Sequence, residues 1–467
     1  MQMNDGLIID CFAGGGGAST GIEQALGRPV DIAVNHDPRA IAMHKANHPA
    51  TYHVTEDIFT ADLHSLVAGR HVSLMWASPD CTSHSRAKGG KPRESGLRML
   101  PWAVHKHAAD LLPNVIIMEN VPEIKKWGPL CDDGRPIKDH EGDEYAAFVA
   151  SMRGLGYTFE CRELVACDYG APTTRRRWYA ILRRDGKPAA WPHPTHGDGL
   201  FGKPYRTAAE CIDWSDLGTS IFERKKPLAE ATNFRIARGI AKYVMAGDPK
   251  PFIVPIGYGE RPGQAPRVNS IGDPLGTVVA QGTKHYLCSA WLMKYYKGVT
   301  GQSLDGPLHT ITACPGAHFG LVACHLSKFY GTSTGQSLND PVPAITAGGN
   351  HIGLVAAFLT KYYGTGTGQT TNDPLGAVTT KDRFGLVSVR INGDDYALAD
   401  ISLRMLKPSE LMIAQGFPDW YVIDHYDDGE PVPTTQQVKM IGNSVSPPVA
   451  RALVEANCAS MKMLEVA

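Results

Sequence analysis

No stretch of this 467-residue chain is apolar over a length that could span a bilayer, so membrane-spanning classes are set aside. Its first residues, Met1-Gln2-Met3-Asn4-Asp5, lack the charged-then-apolar pattern of a secretory leader. A cytoplasmic location with no membrane partner is the default expectation. The ten cysteines form no CxxC pair and no Cys/His cluster at zinc spacing, so no metal site and no disulfide scaffold are expected. Cys161 and Cys167, the closest pair, read as free thiols. A formal charge of −1 supplies no overall field to draw a polyanion. Nucleic-acid binding would rest on local groups, such as Arg86, Lys88, Lys91 and Arg93, or Arg175 to Arg177, or Arg224 to Lys226. What is present is ordinary globular composition, 43% hydrophobic and 20% charged, in a length sufficient for two or three domains.

The chain opens with an apolar run, Leu7 to Phe12, that reads as a buried strand. A turn, Ala13-Gly14-Gly15-Gly16-Gly17-Ala18-Ser19, follows, and a helix from Gly21 to Leu26 is stopped by Gly27. A glycine-rich strand-to-helix turn lets a ligand approach the backbone and the helix N-terminus. The next strand, Asp31 to Val34, ends at Asn35-His36-Asp37, where Rossmann-like folds place a polar group for ribose hydroxyls. Glu56-Asp57-Ile58 is a third candidate edge. Strand, turn, helix, strand and polar end together favour an α/β fold holding an adenosine-containing cofactor.

A second pair of strand ends carries reactive groups. Val72 to Ala77 reads as a buried strand and runs into Ser78-Pro79-Asp80-Cys81; Val115 to Met118 runs into Glu119-Asn120-Val121-Pro122. A thiol and a carboxyl at the ends of two such strands can converge on one substrate, because α/β sheets bind ligands outside the carboxyl ends of their strands. Covalent attack with proton assistance suits that pair. Taken singly, Cys81 reads as an inert thiol, Glu119 as a cap or ion-pair partner, and Arg175 to Arg177 as a solvated face.

These segments resemble, block by block, the DNA (cytosine-5) methyltransferase family, which uses S-adenosylmethionine. Asp10 to Gly21 is similar to its cofactor loop, Pro79-Asp80-Cys81 to its Pro-Pro-Cys nucleophile loop, and Glu119-Asn120-Val121 to its Glu-Asn-Val element. Asp168 to Arg177 resembles its Gln-x-Arg-x-Arg segment. Arg404 to Glu410 with Gln415-Gly416-Phe417-Pro418, and Gly442 to Pro447, resemble two C-terminal blocks. The resemblance implies a Rossmann-like class I methyltransferase domain, with Cys81, Glu119, Arg175 and Arg177 catalytic. It implies S-adenosylmethionine held by Asp10, Phe12, Ala13, Gly14, Gly15, Gly17, Ser19, Asn35, His36, Asp57, Ile58, Pro79, Asn443 and Ser444. The implied partner is double-stranded DNA, met by a monomer, with a restriction endonuclease as a possible second partner. Three positions depart from the pattern: Asp80 replaces a proline, Thr173 a glutamine, and Asn35-His36 an acid and an aromatic. A carboxylate beside a thiol raises its pKa, so Asp80 is read as turned away, capping N–H groups of the following loop. That loop, Ser83 to Arg93, is rich in Gly, Ser, Lys and Arg, the composition of a mobile element able to close over a flipped base.

The middle of the chain repeats itself. Pro274, Pro307, Pro341 and Pro374 recur 33, 34 and 33 residues apart, each in a Gly/Asn-Asp-Pro-type turn followed by a Thr/Val/Ile-rich piece. Such a period marks stacked supersecondary units, and the composition favours short strands. The expected organisation is a catalytic part at 1–195, an inserted β-rich target-recognition domain at 196–395, and a C-terminal segment at 396–467 that completes the catalytic domain. In that domain the Lys-aromatic-Tyr segments and Gly364 to Gln369 are expected to face DNA. The alternatives are a tRNA cytosine-5 methyltransferase and a catalytically weak DNA-binding relative disabled by Asp80.

Overall fold

In β1 (Leu7–Cys11), Leu7, Ile9 and Cys11 point to one face while Ile8 and Asp10 point to the other, and all five are buried. A strand covered on both faces belongs inside a parallel sheet flanked by helices. The computed structural model of the chain has that sheet, in the order β3-β2-β1-β4-β5-β7-β6. Its other strands are β2 (Ile32–Val34), β3 (Tyr52–Val54), β4 (Val72–Ala77), β5 (Val115–Asn120), β6 (Thr158–Val165) and β7 (Arg176–Arg183). β1 to β5 run parallel, and β7 enters antiparallel between β5 and β6. This is a Rossmann-like α/β fold. The structure describes residues 6–80, 98–197, 202–221, 228–240, 251–256, 264–280, 284–295 and 394–462, with a few single positions and short strands between 326 and 391. Cys81, the 83–93 loop and most of the later repeat copies lie outside the described residues.

Helices α1 (Gly17–Leu26), α2 (Pro38–Asn47), α3 (Leu63–Val67), α4 (Leu100–Leu111) and α5 (Asp143–Gly154) accompany these strands. α1 begins at Gly17, four residues earlier than the sequence reading, because Gly16 takes a left-handed N-cap conformation (φ 82°) that turns the chain into the helix at once. β5 also runs two residues further than the apolar run, so Glu119 and Asn120 lie on the strand itself, held by pairing to Tyr179 and Trp178.

The chain forms two compact units. The first holds residues 1–212, 272–284 and 406–467; the second holds 213–271 and 285–405. The changeovers thus fall at 212 and 406, against the sequence segmentation at 195 and 395, and 272–284 belongs to the first unit. In that unit α7 (Pro408–Gln415), α8 (Thr434–Asn443) and α9 (Pro447–Cys458) return to the sheet. Val449, Ala450, Leu453 and Val454 of α9 pack with Ile22, Ala25 and Leu26 of α1 on one sheet face. The two helices pass so closely that a Cβ on Gly21 would lie 2.6 Å from that of Ala450. The second unit has an antiparallel sheet built around strands Asp394–Met405 and His285–Tyr295, with Phe252–Pro255 beside the latter. Helix α6 (Glu230–Gly239) contributes Ile236 to a core with Phe252, Val254, Cys288, Ile401 and Leu403.

Candidate active site

Strand order reverses direction at β1, with β2 and β3 on one side and β4 and β5 on the other. A crevice opens at such a switch point, outside the carboxyl ends of the strands. Cys11 pairs with Ala77, and Ala77 with Met118, so the glycine turn, Ser78-Pro79 and Glu119 leave the sheet at one level. The sequence motifs are thereby brought together by register alone.

The glycine turn is held from both sides. Gly16 N–H donates to Ala13 C=O, and Ala13 N–H to Val34 C=O at the end of β2. A Cβ on Gly15 would sit 3.1 Å from Ser444 Oγ, and one on Gly17 would collide with the Val445 carbonyl. The glycines at 15 and 17 therefore serve close approach of the C-terminal segment. Gly14 differs: its Cβ direction meets only the Phe12 carbonyl at 3.7 Å, leaving space for a ligand. Phe12 itself adopts a left-handed backbone (φ 65°), which is costly for a non-glycine residue.

Asp10 lies beneath this turn with no solvent exposure. Its Oδ2 accepts a 2.7 Å hydrogen bond from Ser19 Oγ, while Oδ1 is buried with no hydrogen-bond partner. Burial pushes its pKa up from 3.8 to about 7, against the lowering effect of Ser19. An unpartnered carboxylate oxygen under an open glycine fits a cationic ligand group. Cys11 is buried in the core, where desolvation pushes its thiol well up, so it is no nucleophile.

At the second candidate edge Asn35 is half-buried and its Oδ1 accepts from Asp37 N–H; His36 is exposed. Asp57 is exposed and closes its own turn by accepting from Phe59 N–H. Ile58 is buried, its carbonyl bonded to His107 Nε2. Asn443 is exposed at the end of α8, whereas Ser444 is buried and donates its hydroxyl to Met440 C=O.

The carboxyl ends of β4 and β5 are tied together. Trp76 Nε1 donates to Ser78 Oγ, Ser78 N–H to Cys11 C=O, and Asn120 Nδ2 to the Pro79 carbonyl at 3.1 Å. Asn120 Oδ1 accepts from Val121 N–H. Pro79 is buried, and Asp80 half-buried, at the point where the chain enters Cys81. Glu119 is 5% exposed. Arg177 Nε stands 3.1 Å from its Oε1 and Arg175 Nη2 3.8 Å. Although the Arg177 contact is close, neither Oε1 nor Arg177 Nε makes a hydrogen bond among the described residues, so both keep unused bonding capacity.

The two arginines are not equivalent. Arg175 Nη1 donates to the carbonyls of Gly442 and Val278, so its guanidinium bridges β7, α8 and the first repeat copy. That copy, with buried Leu275 and Val278, is part of the first unit. Thr173 joins the same seam, donating its hydroxyl towards Gly276 C=O. Arg177 is instead only partly covered, with Nη1 on the Arg176 carbonyl.

Several residues of this site escape the sequence reading. Asn120 was legible only as part of a motif. Tyr421, three residues past the Gln-Gly-Phe-Pro block, donates to the Gly15 carbonyl. His44 of α2 and His48, which caps that helix, lie under the turn with His53 of β3. The density of histidine in 36–53 is the one signal that could have flagged them.

Comparison with known proteins agrees with this geometry. The C-5 cytosine-specific DNA methylase family matches residues 7–210 and 360–458, more than half of the chain. Type II methyltransferase M.AquIA of Picosynechococcus is 28% identical over 227 residues, covering 44% of this chain and 87% of that relative. M.AgeI of Thalassovita gelatinovora is 30% identical over 196 residues (41% and 42%), and M.XorII of Xanthomonas oryzae 31% over 195 (40% and 43%). The chain thus spans less than half the length of the latter two. By the extent of the family match and the order of its motifs, the chain belongs to the C-5 cytosine-specific DNA methylase family.

Proposed function

We propose that this chain methylates C5 of a cytosine flipped out of duplex DNA, using S-adenosylmethionine and covalent attack by Cys81. The observation that carries the reading is the Asn120–Pro79 tie. It delivers the chain entering Cys81 to the strand end that holds Glu119, with unused hydrogen-bonding capacity on Glu119 and Arg177.

Cytosine C5 is too weak a nucleophile to act unaided. Addition of the Cys81 thiolate to C6 converts the ring to an enamine and moves electron density to C5. Glu119 bonds N3 and the exocyclic amine, stabilising the ring as density shifts. Arg177 offers donors to the base O2, and Arg175 holds the seam that aims them. Loss of the C5 proton and elimination of Cys81 restore the aromatic ring. S-adenosylmethionine supplies, when bound, an electrophilic methyl group on a sulfonium. Asp10, Phe12, Ala13, Gly14, Gly15, Gly17 and Ser19 would hold its amino-acid end, and Asn35, His36, Asp57 and Ile58 its adenosine. Pro79, Asn443 and Ser444 would complete that pocket. The unpartnered Asp10 Oδ1 and the open side of Gly14 support this fit.

The second unit, with its antiparallel sheet inserted between the arginine segment and the C-terminal blocks, is proposed as the target-recognition domain. Deleting 285–390 should abolish site-specific DNA binding, and intact binding would exclude the assignment. A place beside a restriction endonuclease and action as a monomer on DNA belong to the same proposal. Trapping on a 5-fluorocytosine duplex with S-adenosylmethionine tests the reaction: a covalent adduct is expected, lost in Cys81→Ser. No adduct across a diverse sequence pool would favour a disabled relative. Competition in which tRNA displaces duplex DNA would favour the tRNA enzyme.

A further inference from the structure

Beneath the glycine turn a line of polar side chains runs from Asp10 and Ser19 of the proposed cofactor pocket to two histidines, His44 and His53, that the proposed reaction does not use. Ser19 Oγ lies 2.7 Å from Asp10 Oδ2 and 3.0 Å from His44 Nε2; His44 Nδ1 lies 2.8 Å from His53 Nε2. Asp10, Ser19 and His44 have no solvent exposure, while His53 on β3 is half-buried. The line joins the buried carboxylate to the protein surface.

We propose that His44 and His53 are positioning residues for Asp10, forming with Ser19 a hydrogen-bond relay through which His53 sets whether Asp10 presents a carboxylate or a carboxylic acid to the cofactor. The proposal rests on the reading of the glycine turn as the S-adenosylmethionine site. Its physical basis is donor counting. A carboxylate only accepts, and Ser19 has one O–H. With Asp10 ionised, Ser19 donates to Asp10, His44 must donate from Nε2 to Ser19, and His53 must donate to His44 Nδ1. With Asp10 protonated every bond reverses: Asp10 donates to Ser19, Ser19 to His44 Nε2, and His44 Nδ1–H to His53. One proton taken from solvent at His53 and one step along each bond connects the two states. A neutral imidazole passes this polarity because one nitrogen donates while the other accepts.

The surroundings keep the imidazoles neutral. Burial, then His48 and His53, holds His44 well below the ordinary histidine range. Burial, then Lys45 and His48, lowers His53 to about 4, opposed by the Thr51 backbone and Asp427. Glu23 faces Asp10 and bonds His48 Nδ1, and Tyr421 closes the cluster. With Asp10 titrating at about 7, both polarities lie within reach at physiological pH. A cation in the pocket selects the ionised one.

The test replaces His53 in the full chain by residues that enforce one polarity. His53→Lys can only donate, and should lower the Asp10 midpoint by about one unit; His53→Glu can only accept, and should raise it by about as much. The midpoint is read by carbon-13 carboxyl NMR of labelled aspartate, assigned with Asp10→Asn. The pH profile of the Kd for S-adenosylhomocysteine, measured by calorimetry, should move in parallel. For the wild type that Kd should weaken about eightfold between pH 7.5 and pH 6. The ligand's own α-amino group also titrates, so the comparison between variants, which cancels it, is the readout. Charge alone acts in the same sense, so both variants are repeated with Ser19→Ala, which cuts the relay at its smallest side chain. Shifts that fall to less than half in that background support the relay. Equal shifts with and without Ser19, or an immobile midpoint, overturn it. Carboxyl shifts as stated with no S-adenosylhomocysteine binding at any pH would keep the relay and sink the cofactor reading.

Discussion

Asn120→Ala tests the tie between the carboxyl ends of β4 and β5. Asn120 is 1% exposed and makes two bonds: Nδ2 to the Pro79 carbonyl at 3.1 Å and Oδ1 from Val121 N–H at 2.9 Å. Truncation removes both partners and leaves a buried carbonyl and a buried N–H unsatisfied, at about 1–3 kcal/mol each. Part of that cost falls on global stability. The rest falls on the geometry of Pro79, and so on the approach of Cys81 to a base held at Glu119. A loss of about 2 kcal/mol at the transition state slows the covalent step roughly thirtyfold. Single-turnover trapping on a 5-fluorocytosine duplex measures that step, and calorimetry measures the Kd for S-adenosylmethionine. The expected outcome is a slow adduct with cofactor affinity within about twofold of wild type. Asn120→Asp should be slower still, because a carboxylate then faces the Pro79 carbonyl. An adduct rate in Asn120→Ala within about twofold of wild type, in a protein still folded, would refute the reasoning.

The two arginines should separate by assay. Arg175→Ala leaves buried carbonyls at Gly442 and Val278 and should lower stability by about 3–5 kcal/mol in denaturant unfolding. Arg177→Ala should slow adduct formation and, because it takes a cation from beside the buried Glu119 carboxylate, should also lower stability, but by less than Arg175→Ala in the same unfolding measurement. Asp10 carries a pH signature. Its folded pKa of about 7 exceeds the ordinary 3.8, so the native state binds the extra proton between these values and stability falls as pH rises from about 4 to 7. Asp10→Asn should therefore raise Tm more at pH 8 than at pH 5 while abolishing cofactor binding; equal gains at both would contradict the assignment. Gly17→Ala drives a methyl group into the Val445 carbonyl and should cost about 1–3 kcal/mol, seen as a lower Tm. Asp80→Pro should leave turnover and its pH dependence nearly unchanged, and a large shift in either would show that this carboxylate acts on Cys81.

The first half of the fold is legible because its signals are local. Both-face burial in β1, β4 and β5 shows as continuous apolar runs, and the glycine turn shows as composition. The extension of β5 through Glu119 and Asn120 is not legible, because pairing to β7 supplies what polar residues lack in strand propensity. Nor is the place of the first repeat copy. Its Asp-Pro turn matches the others in sequence, yet buried Leu275 and Val278 go with the first unit.

The sequence by itself determined the inventory read for this site: a thiol, a carboxyl, two arginines and a glycine turn, in the order of the family's motifs. Tertiary structure decided their division of labour. Arg175, just before β7, and Arg177, on it, are two residues apart and alike in sequence, but only Arg175 meets the Gly442 and Val278 carbonyls. Asp10 is one acidic residue among many until burial lifts its pKa and leaves one oxygen without a partner. Ser19, His44 and His53 become one line only when α1, α2 and β3 are folded together, because hydrogen bonds across elements depend on distances that no local pattern encodes.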